Sequence, residues 1–316
     1  MAVEHMQTLQ EIVRAARANL GQGDWDYLIG GADTEAGVRR NRGSIEALAL
    51  RPRVLRDVAE VDTSAELLGQ RLRIPVFLPP IGSVQVFEAG GAASVARAAE
   101  RFGTLQFVSS ACQPDIEETA SASAAPKVYQ LYLAGDDAWI DARIERAIAA
   151  GYVGFCLTVD TQVYSRRERD LLKRYVPLSG RLAVESGALD AQARMTWELV
   201  DRIKARFDIP LVLKGVATAE DAAIACDHGV DLIYVSNHGG RQLDHTRGTI
   251  DVLPEVVAEV GGRAQIAVDG GFLRGTDVLK AIALGADAVG VGRLECFGQA
   301  AGGADGVVRA LEILEH

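Results

Sequence analysis

The sequence predicts an α/β chain folded as a (β/α)8 TIM barrel with an N-terminal helical cap. Three observations carry that prediction. From residue 75 onward, short apolar, β-rich runs alternate with amphipathic, alanine-rich segments; there are eight such runs; and the polar residues able to do chemistry fall at the run ends. Continuous apolar strands separated by helices call for a parallel sheet covered on both faces, and eight such units call for a closed barrel. An open doubly wound sheet is the alternative, but it usually places a glycine fingerprint in its first turn, and none is seen there.

Residues 1–74 read as two or three helices and a short hairpin-like piece around "LRPRVLRDVAEVD", punctuated by Pro52 and Pro75. They form a cap on the barrel of residues 75–316, so that 1–316 is one domain. The candidate strands are "IPVFLPPIG" (74–82), "LQFVSS" (105–110), "KVYQLYL" (127–133), "GFCLTVD" (154–160), "LVLKG" (211–215), "LIYVSN" (232–237), "QIAVDGG" (265–271) and "AVGVGR" (288–293). Between them lie helix candidates such as "GAASVARAAERFG", "DAWIDARIERAIAAG", "TAEDAAIACDHG" and "GTDVLKAIALG". Several begin at a Thr or Asp cap and end at Gly, where helix boundaries prefer them. The longest connection, 161–191, is charged and follows the fourth strand, a place suited to a lid or substrate loop.

Composition narrows the function. Apolar residues make up 48% of the 316 and charged residues 24%, enough for a sizeable core in a soluble chain. A formal net charge of -10 argues against nucleic acid and anionic membrane as partners, while local arginines can still make a pocket for a small anion. Cys112, Cys156, Cys226 and Cys296 are scattered, without CxxC or Cys/His ligand spacing, so neither disulfides nor a metal site is expected. The N-terminus lacks a signal-peptide apolar region, and no run reaches membrane-spanning length; the expected location is the cytoplasm.

Active sites of this barrel form where strands end and βα loops begin. Here those ends carry Gln130 and Tyr132; Thr158 and Asp160, then Arg166 and Arg167; Lys214; Ser236, Asn237 and His238, then Arg241; Asp269, Gly270 and Gly271; and Gly292 and Arg293. Each alone could be a solvated loop residue, but a core has no need of a lysine, a histidine and a carboxylate at one level of several strands. "DGGFLRGTDV" and "GVGR" are glycine turns in adjacent units. Either they need glycine for geometry alone, or their N–H groups bind a phosphate, as this barrel commonly does there. Lys214 follows an apolar run, and so needs a negative partner; a phosphate-bearing cofactor with an acceptor ring provides one. His238 near Asp160 suits a general base, the carboxylate favouring its protonated form. Arg241 and Arg167 suit a substrate carboxylate. "RRERD" can also be a solvated charge run, with one of Arg166 and Arg167 pointing inward.

"VSNHGGRQLD" closely resembles the signature of the FMN-dependent α-hydroxy acid oxidases and dehydrogenases, a family that includes glycolate oxidase, lactate oxidase and mandelate dehydrogenase. The resemblance continues through "LRPRVLRDV", "YQLYL", "LTVDT…RRERD", "LVLKGVATAEDA" and "VDGGFLRGTDVLKAIALGADAVGVGR", from about residue 25 to about 303. It implies FMN as cofactor and oxidation of an L-2-hydroxy acid to the 2-keto acid, with flavin N5 as electron acceptor and reoxidation by oxygen or another acceptor. His238 is then the base, Asp160 its partner, and Tyr132 a hydrogen-bond partner of the α-hydroxyl or developing carbonyl. Arg241, Arg167 and Tyr27 hold the carboxylate. Lys214 lies by the N1/C2 edge of the flavin. Pro80, Ile81 and Gly82, with Ser109, Gln130, Thr158 and Ser236, contact the ring. Asp269, Gly270, Gly271, Phe272, Leu273, Gly292 and Arg293 bind ribityl and phosphate. The resemblance further implies a homo-oligomer, a tetramer.

The chain departs from the family pattern in places. Leu273 stands where the first of two arginines is usual, leaving Arg274, which removes one phosphate contact. The loop after the fourth strand is shorter than typical, and the chain stops at His316 without the usual C-terminal extension. Ala111 replaces the bulky aromatic of glycolate oxidase, leaving room for a larger substrate, and Gly82 is more like the dehydrogenase branch. Two other readings follow: the same fold and cofactor acting on a larger or peptide-borne hydroxy acid, or an FMN-binding homologue without turnover. An FMN-dependent isomerase of diphosphates offers no reason for the His238/Arg241 pair.

Overall fold

The computed structural model describes residues 2–176 and 188–316. Three helices open the chain: α1 (Leu9–Asn19), α2 (Gln22–Ile29) and α3 (Ala36–Ala47). Thr8 and Glu11 begin α1 with a capping box, in which each side chain satisfies an N–H the helix leaves open. Its buried face, Leu9, Ile12 and Ala16, packs on the last helix, Gly292–Glu315.

The hairpin lies elsewhere than expected. "LRPRVLRDVAEVD" carries no regular structure. The antiparallel pair is β1 (Ala65–Leu67) and β2 (Gln70–Leu72), joined at Leu68 and Gly69. Both turn residues have positive φ, 52° and 71°, the twist a two-residue hairpin turn needs, and glycine at its second position fits that turn. Leu67 and Leu72 are fully buried and join the apolar cluster inside the barrel, so the hairpin plugs its N-terminal end.

Eight parallel strands follow: β3 (Val76–Phe77), β4 (Gln106–Ser109), β5 (Lys127–Leu131), β6 (Gly154–Thr158), β7 (Leu211–Val216), β8 (Leu232–Val235), β9 (Gln265–Val268) and β10 (Ala288–Gly290). Their order, β3-β10-β9-β8-β7-β6-β5-β4, is sequential, and a parallel bridge between Leu78 and Gln106 joins the two ends. The fold is the (β/α)8 barrel the sequence predicts. The first strand is much shorter than its apolar run because Pro79 and Pro80 have no N–H to give the ladder.

Side chains alternate along each strand, so every second residue faces the barrel axis. Phe77, Phe107, Val128, Cys156, Val212, Leu232, Tyr234, Ala267 and Ala288 form one inner cluster. Two residues further on, the same inward phase reaches Ser109, Gln130, Thr158, Lys214, Ser236 and Asp269. The polar ring therefore sits one pleat above an apolar plug, at the C-terminal mouth. The expected 161–191 connection contains the helix Glu168–Leu172 and the start of the helix Ala188–Ala193; residues 177–187 lie outside those described. All four cysteines are free, and among the described residues no helix is long and apolar enough to cross a membrane.

If the hairpin is part of the core, Leu72→Ala will cost about 2–5 kcal/mol of unfolding free energy in a urea titration. A loss below about 0.5 kcal/mol would place the hairpin outside the cooperative unit.

Candidate active site

The mouth of the barrel holds a cavity of about 680 Å³. Its wall includes Tyr27, Pro80, Ile81, Gly82, Tyr132, Arg167, Lys214, His238 and Arg241, together with Asp269 to Leu273, Gly292 and Arg293. Ser109, Gln130, Thr158, Asp160 and Ser236 are set behind that surface. Of the two adjacent arginines, Arg167 lines the cavity, whereas Arg166 is 69% exposed beside Glu168.

After β8 the backbone turns through three consecutive left-handed residues, His238, Gly239 and Gly240, at φ 57°, 64° and 77°. That conformation is strained for a histidine and tolerable for glycine. Gly240 also meets α3 closely: a Cβ there would lie 2.5 Å from Val38 N. The turn throws the imidazole over the cavity. Its Nδ1 faces Asp160 Oδ1 at 3.1 Å and its Nε2 faces the Tyr132 hydroxyl at 3.2 Å. Asp160 is seated against Gly215, where a Cβ would come within 2.7 Å of the Asp160 Cβ. Gly215 lies in a register shift between Lys214 and Val216, and its φ of 114° suits glycine alone.

Burial and the nearby Lys214 charge push the His238 pKa down; Asp160 opposes them without prevailing. Asp160 favours the protonated form, as expected from the sequence, but desolvation disfavours the imidazolium and Lys214 adds like-charge repulsion, and these two prevail. Burial pushes Asp160 up, but the charges of His238 and Lys214 hold it below the usual carboxylate range. The buried Tyr132 hydroxyl is raised, chiefly by desolvation, and stays protonated.

Lys214 is 3% exposed. It donates to Ser236 Oγ at 3.2 Å, and Ser236 donates to Asp269 Oδ1 at 2.7 Å. The other oxygen of Asp269 accepts from Tyr234 at 2.9 Å. Arg241 donates to the carbonyls of Tyr27 (2.6 Å) and Gly30 (2.9 Å) and lies over the Tyr27 ring. Burial and the neighbouring Arg167 charge lower its pKa, so two guanidinium groups share one apolar pocket. The Tyr27 hydroxyl reaches Gly82 O at 3.0 Å. Arg293 donates to Gly239 and Gly30 carbonyls, and burial brings it down to about 10.

Several buried polar atoms here have no partner among the described residues: both amide atoms of Gln130, Thr158 Oγ1 and Arg293 Nε. Stranding such groups costs about 1–3 kcal/mol each, so they call for a ligand with polar edges.

A family model described as FMN-dependent dehydrogenase matches residues 16–316. The chain belongs to that family. It is 37% identical to an L-lactate oxidase of Nostoc sp., over 99% of this chain and 93% of the relative. It is 38% identical to a 4-hydroxymandelate oxidase of Amycolatopsis orientalis, over 97% of this chain and 91% of the relative. A crystal structure of mandelate oxidase superposes with a TM-score of 0.92 at 38% identity, covering 98% of this chain and 91% of that one. This member of the FMN-dependent dehydrogenase family is therefore an oxidoreductase with FMN as its cofactor. The stranded donors and acceptors of Gln130 and Thr158, beside the Lys214 cation, fit the polar edge of a flavin.

The sequence reading missed several residues. Asp244 of the same motif accepts from the N–H groups of Thr34, Ala36 and Gly37, at 3.1, 3.3 and 2.7 Å, and so caps α3 from outside. Asn41 and Arg42 of α3 line the cavity, and Arg42 donates to Gly271 O at 3.1 Å while pairing with Asp277. Trp139 and Arg143 also line it, from the helix after β5. Nothing in a helical charge pattern distinguishes these side chains from solvated ones.

If Gln130 and Thr158 are held for the flavin, Gln130→Leu will leave the apoprotein about 1 kcal/mol more stable to urea or unchanged, because it removes unsatisfied groups. The same variant will retain FMN more weakly, read as fluorescence of flavin released on dilution. Unchanged retention would remove Gln130 from the cofactor site.

Proposed function

We propose that the protein oxidises an L-2-hydroxy acid to the corresponding 2-keto acid, with His238 as the base. The observation that carries this reading is that one cavity brings together the His238 imidazole, the Tyr132 phenol and the Arg167 and Arg241 guanidinium groups, and among the described residues neither of those guanidinium groups forms an ion pair. A 2-hydroxy acid has a part for each: a carboxylate, a hydroxyl and a removable proton.

FMN, when bound, supplies a two-electron acceptor at the ring edge. Arg241 and Arg167 hold the substrate carboxylate; the carbonyls of Tyr27 and Gly30 fix the Arg241 fork in place. Tyr132, kept protonated by burial, faces His238 Nε2 in the substrate-free site and turns its single O–H to the substrate oxygen when substrate binds. His238 gives its Nδ1–H to Asp160, which leaves the Nε2 lone pair toward the cavity to take a proton. Asp160 stays ionised and stabilises the imidazolium that forms. Lys214 places fixed positive charge where negative charge accumulates on reduction. Gln130, Thr158 and Ser109 with Pro80, Ile81 and Gly82 would contact the ring, and the Gly270–Gly271 turn, Gly292 and Arg293 would hold ribityl and phosphate. With Leu273 in the usual arginine position, Arg42 is the cation that stands over that turn. Oxygen or another carrier then takes the electrons. The retained base, phenol and arginines disfavour a non-catalytic homologue.

His238→Ala will keep FMN but slow anaerobic bleaching by substrate by about 10²–10⁴-fold. An unchanged rate would take the base role from His238. Because the His238 pKa is depressed, kcat/KM will fall only as pH drops below the ordinary imidazole value of 6.5. Lys214→Met removes a repulsive charge and will move that acid limb to higher pH, whereas Asp160→Asn will move it lower. Shifts in the opposite directions would contradict this balance of charges around the imidazole.

A further inference from the structure

We propose that the cavity continues beyond the reacting centre into a subsite that binds an aryl or similarly flat substrate tail ending in a carboxylate, with Trp139 as its wall and Arg143 as its anion contact. This rests on the 2-hydroxy acid reading above and names the substrate class.

Position in the barrel supports it. Tyr132 follows β5, and the chain runs through Leu133 and Ala134 into the helix Asp137–Ala149. Asp136 caps that helix by accepting from Trp139 N, which places Trp139 in the first turn and Arg143 one turn later on the same face. Ala111 follows the adjacent strand β4. All of these line the same cavity as His238. β5 stands four strands from β9 in either direction round the closed order, so this lobe lies across the barrel from the glycine turn proposed for phosphate.

The chemistry of the lobe is specific. Ala111 and Ala134 add little bulk to the cavity lining, and Leu133 and Trp139 make it apolar. At the far end, Arg143 lies over the Trp139 ring, 5.2 Å from its centroid. Its Nη1 reaches Asp115 Oδ2 at 3.2 Å, but Arg146 takes the same oxygen at 2.9 Å and also holds Glu117. Arg143 is therefore the looser partner of a shared carboxylate, half-buried and facing the cavity. A guanidinium stacked on an indole is a planar donor fork for a second carboxylate. The proximal arginine pair holds one end of the substrate and Arg143 the other.

The test compares benzoylformate with 4-carboxybenzoylformate, titrated into the FMN-loaded protein and followed by the visible difference spectrum of the flavin. The expected result is about tenfold or tighter binding of the carboxylated acid. Arg143→Met will abolish that preference without changing benzoylformate affinity or FMN retention. Asp115→Asn, which breaks the same ion pair, will preserve it and so excludes a structural effect. Equal binding of the two acids, a preference surviving Arg143→Met, or loss of FMN in that variant would overturn the proposal. Anaerobic bleaching by mandelate and 4-carboxymandelate is read separately. If neither bleaches the flavin while the keto-acid preference holds, the catalytic reading fails and the subsite stands.

Discussion

A lysine cannot be left in the middle of a protein without company, and the upper half of this barrel is organised around Lys214. Burying an ammonium costs several kcal/mol unless charge and hydrogen bonds are returned to it. The return comes from three strands: Ser236 accepts a hydrogen bond from it, Asp269 holds Ser236, and Asp160 stands within electrostatic reach. The ring of Tyr234 lies beneath it, with the ammonium 5.4 Å from the ring centroid. The same charge depresses His238. One interaction thus links the neutrality of His238 to the ionisation of Asp160.

The apolar plug and the site are not separate layers. Tyr234 packs its ring edge-on against Phe77 and Phe107 and spends its hydroxyl on Asp269. A change in the plug therefore moves a carboxylate in the site. The stranded atoms of Gln130 and Thr158 show the complementary dependence: the barrel mouth is a core that leaves polar atoms to be satisfied from outside the chain. Cofactor binding and folding free energy are linked by mass action.

The eight strands were legible because parallel strands buried on both faces are continuous apolar runs, as "GFCLTVD" and "LIYVSN" are. The polar ring was legible because period-two alternation puts Gln130, Thr158, Lys214 and Ser236 in phase with the apolar layer below. The hairpin was not, because its strands are three residues each and "LLGQRL" carries only one glycine as a signal. The direction of the His238 shift was not legible either. Asp160 could be inferred as a neighbour, but the burial that outweighs it and the reach of Lys214 exist only once the barrel closes. Trp139 and Arg143 escaped for a different reason: on a surface helix, a tryptophan and an arginine four apart look the same whether they face water or a cavity.

The N-terminal helices have a consequence for the order of assembly. The carbonyl of Gly30 accepts from both Arg241 and Arg293, Met6 O from Arg309, and Ala300 O takes the amide of Asn19. A ribosome makes these partners more than 200 residues apart, so the earliest helices emerge long before anything exists for them to dock on. Contacts of such separation are made late and slowly. The barrel has to be nearly complete before its cap can settle, and Arg241 gains its two carbonyls only then. The seating of Arg241 between two carbonyls of the cap is thus a property of the finished chain.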